Sequence, residues 1–330
     1  METGHNRIRH IAVLTSGGDA PGMNAFIRAV TRTALNAGCQ VTGVMGGYQG
    51  LVDKDFIQLD SRMVGGIMRH GGTMLQSSRS REFTTPDGQE RAITNMRELG
   101  IDGLVVAGGN GSMAGVKALV ERGFPAIGVP ASIDNDLFGT DTCIGVDTAL
   151  ETIVEAIDKL KDTASSMSRA FVLEVMGRHS GWLALAAGVA GGAEAILTPE
   201  SKFDLESLVA DAQRAKERKK PHYIIVAAEA LGLASGPDSE AFLKAMERSG
   251  FSVRVTVLGH VQRGGAPTPS DRILATRLGV EATRSLLAGR FGTMVGISAG
   301  RLVHVPLDEA LSRSQPLDAE LLALAPLMTI

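Results

Sequence analysis

The sequence predicts an α/β protein built of two Rossmann-like, doubly wound lobes with a cleft between them, and three observations support this fold class. The chain has 330 residues, which is too long for one ordinary hydrophobic core. Short runs rich in β-branched residues alternate with segments of helical periodicity, as in a parallel sheet made of βαβ units. The 40 glycines stand mostly at the ends of apolar runs, where the backbone turns sharply or approaches a ligand.

The first lobe is predicted from its strands and the turns between them. Predicted strands cover residues 11–14, 41–45, 103–107 and 126–129. One predicted helix covers 23–36, and another follows the turn at 108–112 and runs to residue 122. The last of these strands is expected to stop at Pro130, because proline cannot donate to a sheet ladder. The residues after it then lie at the carboxyl end of a strand, where open α/β sheets bind ligands.

A long predicted helix over residues 148–161 opens a second set of elements. Further predicted strands cover 170–175, 195–197, 223–227, 254–258 and 294–298, with helices over 181–189, 205–219 and 270–287. Periodicity alone does not tell whether the chain later crosses back to the first lobe.

Composition favours a globular cytoplasmic protein and argues against two classes of partner. A net charge of −3 gives no electrostatic reason to expect nucleic acid or an anionic membrane as a partner. No apolar run approaches the roughly 20 residues that a membrane span requires. Residues 1–10 are polar and lack the apolar segment of a signal peptide. Cys39 and Cys143 lack metal-ligand spacing and are expected to be buried thiols of a reducing compartment.

Two carboxylates, Asp134 and Asp136, follow the predicted strand that ends at Pro130. In such a pair one carboxylate can take a proton from an attacking hydroxyl while the other holds a metal ion or orients its neighbour. On spacing alone an Asx turn is the simpler interpretation, because Asp and Asn cap turns with their side chains.

Two glycine-rich turns, over residues 15–19 and 108–112, each join a predicted strand to a helix. Glycines there let backbone N–H groups face a phosphate, and the helix N-terminus adds a favourable dipole. Neither turn has the Gly-Lys-Ser/Thr ending of a Walker A loop. Many α/β turns need glycine for geometry alone, so both interpretations stay open at this point.

Cationic residues near the ends of predicted strands are suited to bind the phosphate group of a substrate. They are Arg169, Arg178, His179, Arg254, His260 and Arg263. Arginine binds phosphate through a planar fork, although any one of these residues alone could form a surface ion pair.

Four motifs together resemble the phosphofructokinase family, which makes fructose 1,6-bisphosphate from fructose 6-phosphate in glycolysis. They are Leu-Thr-Ser-Gly-Gly-Asp-Ala-Pro-Gly-Met-Asn at 14–24, Ile-Asp-Asn-Asp at 133–136, Glu-Val-Met-Gly-Arg at 174–178, and Val-Leu-Gly-His-Val-Gln-Arg-Gly-Gly at 257–265. The resemblance covers residues 11–305, nearly the whole chain.

The resemblance implies a role for each matching residue. Asp134 would be the general base on the 1-hydroxyl of the sugar, and Ser132 would keep a hydroxyl beside the transferring phosphoryl group. The sugar would be bound by Met176, Gly177, Arg178 and Glu229, and its 6-phosphate by Arg169, Arg254, His260 and Arg263. The donor, ATP, would be held by Gly18, Arg79, Ser80, Gly109, Asn110, Gly111 and Ser112. Mg²⁺ would be bound by Asn110 and Asp136.

The resemblance also implies an architecture and an assembly. The donor lobe would comprise residues 7–146 and 258–308, and the sugar-phosphate lobe residues 147–257 and 309–330. Some arginines of the 6-phosphate site would come from a neighbouring subunit, which implies a homotetramer with shared sites. Four residues match positions that bind allosteric effectors, namely Arg28, Arg32, Lys161 and Glu194, whereas Ser61 and Gly66 depart from that pattern.

Departures from the family pattern bear on the metal and on the donor. Asn110 stands where the family usually has Asp, so metal affinity should be lower, which keeps a weakly catalytic regulatory subunit open as an interpretation. Gly111 and Ala131 are small and favour ATP over pyrophosphate as the donor. Ser80 and Ala114 replace larger side chains that commonly contact adenosine. A pyrophosphate-dependent enzyme and a sedoheptulose 7-phosphate kinase also stay open as interpretations.

Overall fold

The computed structural model describes residues 8–328, and the chain divides into two compact units. One unit runs up to Thr148 and resumes over Arg263–Gln315, and the other comprises Ala149–Gln262 and the segment from Pro316 onward. The chain therefore leaves the first unit after Thr148, returns to it at Arg263, and crosses to the second unit again at Pro316. The outermost predicted lobe boundaries, at residues 7 and 330, lie outside the described residues.

The strands of the described chain are β1 (His10–Thr15), β2 (Gln40–Val44), β3 (Phe56–Gln58), β4 (Gly103–Gly108), β5 (Ala126–Pro130), β6 (Arg169–Val175), β7 (Ala195–Leu197), β8 (Tyr223–Ala228), β9 (Ser252–Val257), β10 (Thr293–Ser298) and β11 (Arg301–Pro306). The α-helices are α1 (Met23–Asn36), α2 (Tyr48–Asp53), α3 (Pro86–Glu98), α4 (Asn110–Glu121), α5 (Val146–Met167), α6 (Trp182–Ala190), α7 (Leu205–Glu217), α8 (Ser239–Glu247), α9 (Pro269–Leu287), α10 (Leu307–Ala310) and α11 (Ala319–Met328).

The sheet of the first unit has the order β11-β10-β5-β4-β1-β2-β3 over the described residues. Its central strands are parallel, and the antiparallel strands β3 and β11 lie at the two edges. Every residue of β1, β4 and β5 is buried, as expected for parallel strands covered on both faces by helices.

The strand order reverses between β1 and β4. From β1 the chain continues outward to β2, while β4 and β5 lie on the other side. In doubly wound sheets this reversal opens a crevice at the carboxyl ends of the two strands, where ligands bind. The turns that follow β1 and β4 therefore meet at the expected binding edge.

The sheet of the second unit has the order β7-β8-β6-β9, and all of its pairings are parallel. Its apolar core includes Val172, Ile225 and Phe251, which pack with residues of α7 and α8. The two units thus each contain a parallel sheet, and the predicted α/β class with Rossmann-like lobes is confirmed.

Helices α4 and α5 differ from the sequence prediction at their boundaries. Helix α4 begins at Asn110, inside the predicted glycine turn at 108–112, so part of that turn is the first helical turn. Helix α5 begins at Val146 and extends to Met167, beyond the predicted 148–161. The carboxylate of Asp271 accepts the backbone N–H groups of Gly145 and Thr148, which stabilises this earlier start.

Several elements of the described chain were not predicted from the sequence pattern. They are β3, β11, α2, α3, α8, α10 and α11. Three of them, β3, α2 and α10, have only 3, 6 and 4 residues, which is too few for a clear apolar period. Over residues 8–328, none of the helices combines the length and apolarity that crossing a lipid bilayer demands.

Candidate active site

Three neighbouring strands of the first unit end at the same edge, and the chain after each of them carries predicted site residues. Pairing of β1 with β4 brings Thr15 opposite Ala107, and pairing of β4 with β5 brings Gly108 opposite Pro130. The ends are linked further, because the N–H of Ser16 donates to Ala107 and that of Ala131 to Gly108. The two glycine turns and the Asp134 loop therefore lie side by side.

A cavity of about 410 Å³ lies at this edge. It is lined by Ser16, Gly17, Gly18, Tyr48, Ser78, Arg79, Ser80, Phe83, Thr84, Gly109, Gly111, Ser112, Ala131, Ser132, Asp134 and Arg263. Nine of the predicted site residues are in this set, including Asp134 and members of both glycine turns. Asp136 and Asn110 are not among the lining residues.

The loop that carries the two carboxylates is held by Asn135. This residue is buried and has a left-handed backbone conformation with φ of 50°. Its side-chain oxygen accepts the N–H of Cys143 at 2.9 Å, and its amide nitrogen donates to the carbonyl of Asp141 at 3.2 Å. Asp134 and Asp136 therefore project from a loop whose middle residue is anchored inside the protein.

Asp136 accepts two side-chain hydrogen bonds, one on each carboxylate oxygen. Ser132 Oγ donates to Oδ1 at 3.0 Å, and Asn110 Nδ2 donates to Oδ2 at 2.8 Å. Both donors were predicted to be site residues. The structure brings together the proposed metal-binding pair, Asn110 and Asp136, from the start of α4 and the loop after β5.

Arg263 lies against the first glycine turn. Its Nη1 atom donates to the carbonyl of Asp19 at 3.2 Å. A Cβ atom at Gly18 would come within 2.5 Å of Nη1, so this position needs glycine while the guanidinium lies there. The structure thus places Arg263 in the cavity with the predicted donor residues.

The segment that carries Arg79 is held beside the first glycine turn by hydroxyl groups. Ser77 Oγ donates to the carbonyl of Gly17 at 2.7 Å, and Ser78 Oγ donates to that of Gly46 at 2.7 Å. Earlier in the segment, Asn24 donates to His70 and Gly71 and accepts from Met74. Arg79 is therefore presented to the cavity from an anchored segment.

An aromatic pair that the sequence prediction missed forms part of the cavity wall. Tyr48 and Phe83 stack with ring centroids 4.1 Å apart and an interplanar angle of 16°. The hydroxyl of Tyr48 donates to the carbonyl of Ser112 at 2.6 Å, and burial raises the pKa of this phenol. Both aromatics come from segments, α2 and a 3-10 turn at Glu82–Thr84, that periodicity did not reveal.

In the second unit, several predicted sugar-binding residues lie where neighbouring strands end. Met176, Gly177 and Arg178 follow β6, and Glu229 follows β8, which pairs with β6. His260 follows β9 on the other side of β6. Met176 is buried, whereas Arg178 and His260 are exposed.

Gln262 belongs to the motif at 257–265, but no role was predicted for it. It is fully buried, its side-chain oxygen accepts the N–H of Met176 at 3.1 Å, and its nitrogen donates to Gly259 at 2.9 Å. It thereby joins the segment after β9 to the segment after β6. An uncharged amide between two predicted cationic site residues is the signal that could have identified it.

Arg169 and Arg254 lie elsewhere in the second unit. Arg169 is the first residue of β6, and Arg254 lies within β9 opposite Phe171. They are thus displaced from the carboxyl edge that carries Arg178 and Glu229. The structure does not bring all the predicted 6-phosphate residues of one chain to one edge.

Of the four residues that match effector-binding positions, Glu194 has the densest contacts. It is buried, accepts the N–H of Ile224, and pairs with Lys220 at 3.1 Å and with His222 at 3.4 Å. Burial lowers the pKa of His222, and the nearby Glu194 carboxylate partly offsets this. Lys161 donates to the carbonyl of Gly191, and Arg28 and Arg32 lie on α1 of the other unit.

Across residues 8–328, no group of three or more His, Cys, Asp or Glu side chains is placed to hold a metal ion. Asp136 instead provides a single carboxylate, held by the amide nitrogen of Asn110 and the hydroxyl of Ser132, and carboxylate oxygens suit Mg²⁺. Because Mg²⁺ is often bound through one or two carboxylates plus substrate phosphates, this donor set fits an ion that is shared with a phosphorylated ligand.

Comparison with known proteins agrees with the motifs over almost the entire chain. A family model described as phosphofructokinase matches residues 10–286. An ATP-dependent 6-phosphofructokinase of Shouchella clausii is 50% identical over 324 residues, covering 98% of this chain and 100% of that protein. Another, from Clostridioides difficile, is 49% identical over 323 residues with the same coverage.

Solved structures show the same fold. Phosphofructokinase from Saccharomyces cerevisiae superposes with a TM-score of 0.85 at 37% identity; the match covers 97% of this chain and 46% of the yeast chain. A pyrophosphate-dependent phosphofructokinase from Marinobacter aquaeolei has a TM-score of 0.83 at 24% identity, with 95% and 86% of the two chains covered. From the family match and the full-length relatives, the chain belongs to the phosphofructokinase family.

Proposed function

We propose that this chain is an ATP-dependent 6-phosphofructokinase, which transfers the γ-phosphoryl group of ATP to the 1-hydroxyl of fructose 6-phosphate. The observation that carries the proposal is the cavity at which Asp134 lies with both glycine turns. Phosphoryl transfer needs positioned anions, cationic and metal neutralisation, and a base for the attacking hydroxyl. The residues at this edge provide the base and the positioning groups.

ATP is favoured as the donor by the shape of the cavity wall. Gly111 and Ala131 add little bulk, and the stacked pair Tyr48 and Phe83 gives an apolar surface that suits a nucleoside. Pyrophosphate has no aromatic or apolar group that would pack against this surface. Ser80 and Thr84 line the same cavity and provide hydroxyl groups without a charge.

The chemistry assigned to this chain begins at Asp134. Its carboxylate takes the proton of the sugar hydroxyl as that oxygen attacks the phosphoryl group. Ser132, two residues away, offers a hydroxyl beside the transferred group. Arg79, which lines the cavity, offsets the negative charge of the donor phosphates. The glycine turns place backbone N–H groups and the start of α4 against the donor.

Most of the residues assigned to the acceptor belong to the second unit. Met176, Gly177 and Arg178 contact the sugar, and Glu229 accepts hydrogen bonds from its hydroxyl groups. His260 and Arg263 bind the 6-phosphate through charge-assisted hydrogen bonds. Support comes from the adjacent ends of β6 and β8, which place Arg178 and Glu229 at one edge.

Mg²⁺ would be held by Asp136 and Asn110 together with the phosphates of ATP. When bound, this ion would offset the charge of the phosphates and polarise the transferred group. Asp136 provides the carboxylate, and Asn110 provides an amide oxygen as a neutral ligand. The oxygen-donor chemistry of this pair supports the choice of Mg²⁺ over a softer metal.

We further propose a homotetramer in which sites are shared between subunits. Arg169 begins β6, whereas Arg178 follows it, so the strand of roughly 20 Å separates their backbones. If Arg169 and Arg254 bind the 6-phosphate, they do so at the site of a neighbouring copy. Glycolysis in the cytoplasm is the setting that we assign to this enzyme.

A donor and acceptor assay tests the proposal. The purified protein is given fructose 6-phosphate or sedoheptulose 7-phosphate with either ATP or pyrophosphate, and bisphosphate product is measured. Turnover with ATP and fructose 6-phosphate is expected to exceed turnover with each remaining combination. Faster turnover with pyrophosphate overturns the donor, and faster turnover of the seven-carbon sugar overturns the acceptor.

One observation favours a second candidate, a weakly catalytic regulatory subunit. Asn110 lacks the negative charge that a carboxylate would offer to a metal ion. For this candidate, the same assay would give negligible turnover with every combination, although sugar phosphate would still raise the melting temperature. The complete Asp134 loop supports the active enzyme instead.

A further inference from the structure

Asn110 makes a contact that a carboxylate at its position could not make. Its Nδ2 atom donates to Asp136 Oδ2 at 2.8 Å, while Ser132 Oγ donates to Oδ1 at 3.0 Å. A carboxylate only accepts hydrogen bonds, so the amide nitrogen is the part of Asn110 that can face Asp136. Both oxygens of Asp136 are thus held by neutral donors of the protein itself.

The family's usual Asp would change the electrostatics of this contact. Two carboxylates at hydrogen-bonding distance repel each other, and both can stay ionised only when a cation lies between them. The Asn110 amide replaces that repulsion with a charge-assisted hydrogen bond. No cation is then required to keep the loop after β5 beside the first turn of α4.

We propose that Asn110 is a positioning residue that holds Asp136 ready before any metal ion arrives. The chain itself consequently has weak affinity for free Mg²⁺, because Asn110 adds no negative charge beside Asp136. Both statements concern the protein alone, without nucleotide or sugar.

Melting temperatures in the absence of substrate test the first statement. Wild type, Asn110→Asp and Asn110→Ala are each measured in EDTA and in millimolar MgCl₂. The wild type should melt at the same temperature in both buffers. Asn110→Asp should melt lower in EDTA and recover in Mg²⁺, because the ion relieves the repulsion between the two carboxylates. Asn110→Ala should melt lower in both buffers, since it loses the hydrogen bond without gaining a ligand.

Binding of Mn²⁺, used as a paramagnetic stand-in for Mg²⁺, gives an independent measurement. Titration followed by electron paramagnetic resonance, without nucleotide, should show Asn110→Asp binding Mn²⁺ at least about tenfold more tightly than the wild type, because a second carboxylate joins the site.

Three results would overturn the inference. They are a wild type that Mg²⁺ stabilises as much as it stabilises Asn110→Asp, an Asn110→Asp protein with an unchanged melting temperature in EDTA, and equal Mn²⁺ affinities. None of these measurements needs turnover, so failure of the kinase proposal would leave them interpretable. If the enzyme turned over normally but the melting and Mn²⁺ experiments gave the contradicting results, the inference about Asn110 would be wrong and the kinase proposal would stand.

Discussion

At the residue scale, the two carboxylates of the loop after β5 have different surroundings. Asp134 lines the cavity, whereas Asp136 is engaged by Ser132 and Asn110 and does not line it. A group that accepts a proton has to reach the reacting hydroxyl, and a group that holds an ion needs a stable orientation. This difference supports Asp134 as the base and Asp136 as the metal-binding carboxylate.

Replacing Asp134 by Asn should abolish most turnover while sugar-phosphate binding is retained. The amide is nearly isosteric but cannot accept the proton, and a general base typically contributes about 10²–10⁴-fold. Initial rates give kcat, and the rise in melting temperature with fructose 6-phosphate gives binding. Turnover within a few-fold of wild type would show that another group is the base.

His260→Ala and Arg263→Ala should each weaken fructose 6-phosphate binding, with His260→Ala leaving the KM for ATP unchanged. Losing one charge-assisted bond should cost roughly 1.5–3 kcal/mol of binding. Arg263 also lies over Gly18, so its KM for ATP is the informative measurement. A variant of Arg263 that changes the KM for ATP but not that for the sugar would assign this guanidinium to the donor.

At the scale of elements, the loop after β5 is held from both sides by segments that come much later in the chain. The end of β10 bonds to Thr140 and Asp141, with the N–H of Asp141 donating to Ile297 at 2.7 Å. On the other side, Ser314 forms an antiparallel bridge with Leu137, and the N–H of Gln315 donates to the main-chain carbonyl of Asp136 at 3.0 Å. The loop therefore depends on the returning part of the chain for its position.

Gln315→Pro should lower kcat by about 10- to 100-fold, because small displacements of catalytic groups carry penalties of this size. The substitution removes the N–H that donates to Asp136, and an extended Ser314 already suits a following proline. Rates are measured at several magnesium concentrations. Ser314→Ala is the matched control, since it keeps the backbone bridge and should behave as wild type. Equal kinetics for Gln315→Pro and the control would show that this segment does not position Asp136.

At the scale of the whole molecule, the proposed assembly determines which arginines can act together. Arg178 follows β6 and Arg254 lies within β9, away from that edge. In a homotetramer with shared sites, one subunit contributes Arg178 and its neighbour contributes Arg254 to the same site. In such an assembly, a subunit that lacks Arg178 and a neighbouring subunit that lacks Arg254 can each provide the arginine that the other has lost.

Mixing Arg178→Ala and Arg254→Ala subunits should restore activity that neither variant has alone. With random assembly from equal amounts, about a quarter of the sites would receive both intact arginines. The two proteins are unfolded and refolded together, and each is refolded separately as the control. Activity of the mixture no greater than the mean of the separate samples would place both arginines in the site of one subunit, or outside the site.

The sequence alone was sufficient for the parallel strands and the site motifs. β4, β5 and β8 are almost entirely apolar, and β1 and β6 have apolar centres, because both faces of a parallel sheet are covered; glycines or charged residues follow each of these strands within a few positions. Such signals lie within short stretches of sequence, so they can be recognised without knowing the fold. The family match and the α/β class, both expected from these motifs, were confirmed.

Only the tertiary structure revealed which distant residues share a cavity and what holds them. The stacking of Tyr48 on Phe83, the placement of Arg263 over Gly18, and the hydrogen bond from Asn110 to Asp136 join residues between 26 and 245 positions apart. Contacts of this kind depend on strand order and on the return of the chain at Arg263, which leave no period in the sequence. The sequence by itself thus determined the elements and the chemical groups, whereas their packing against one another decided which groups act together.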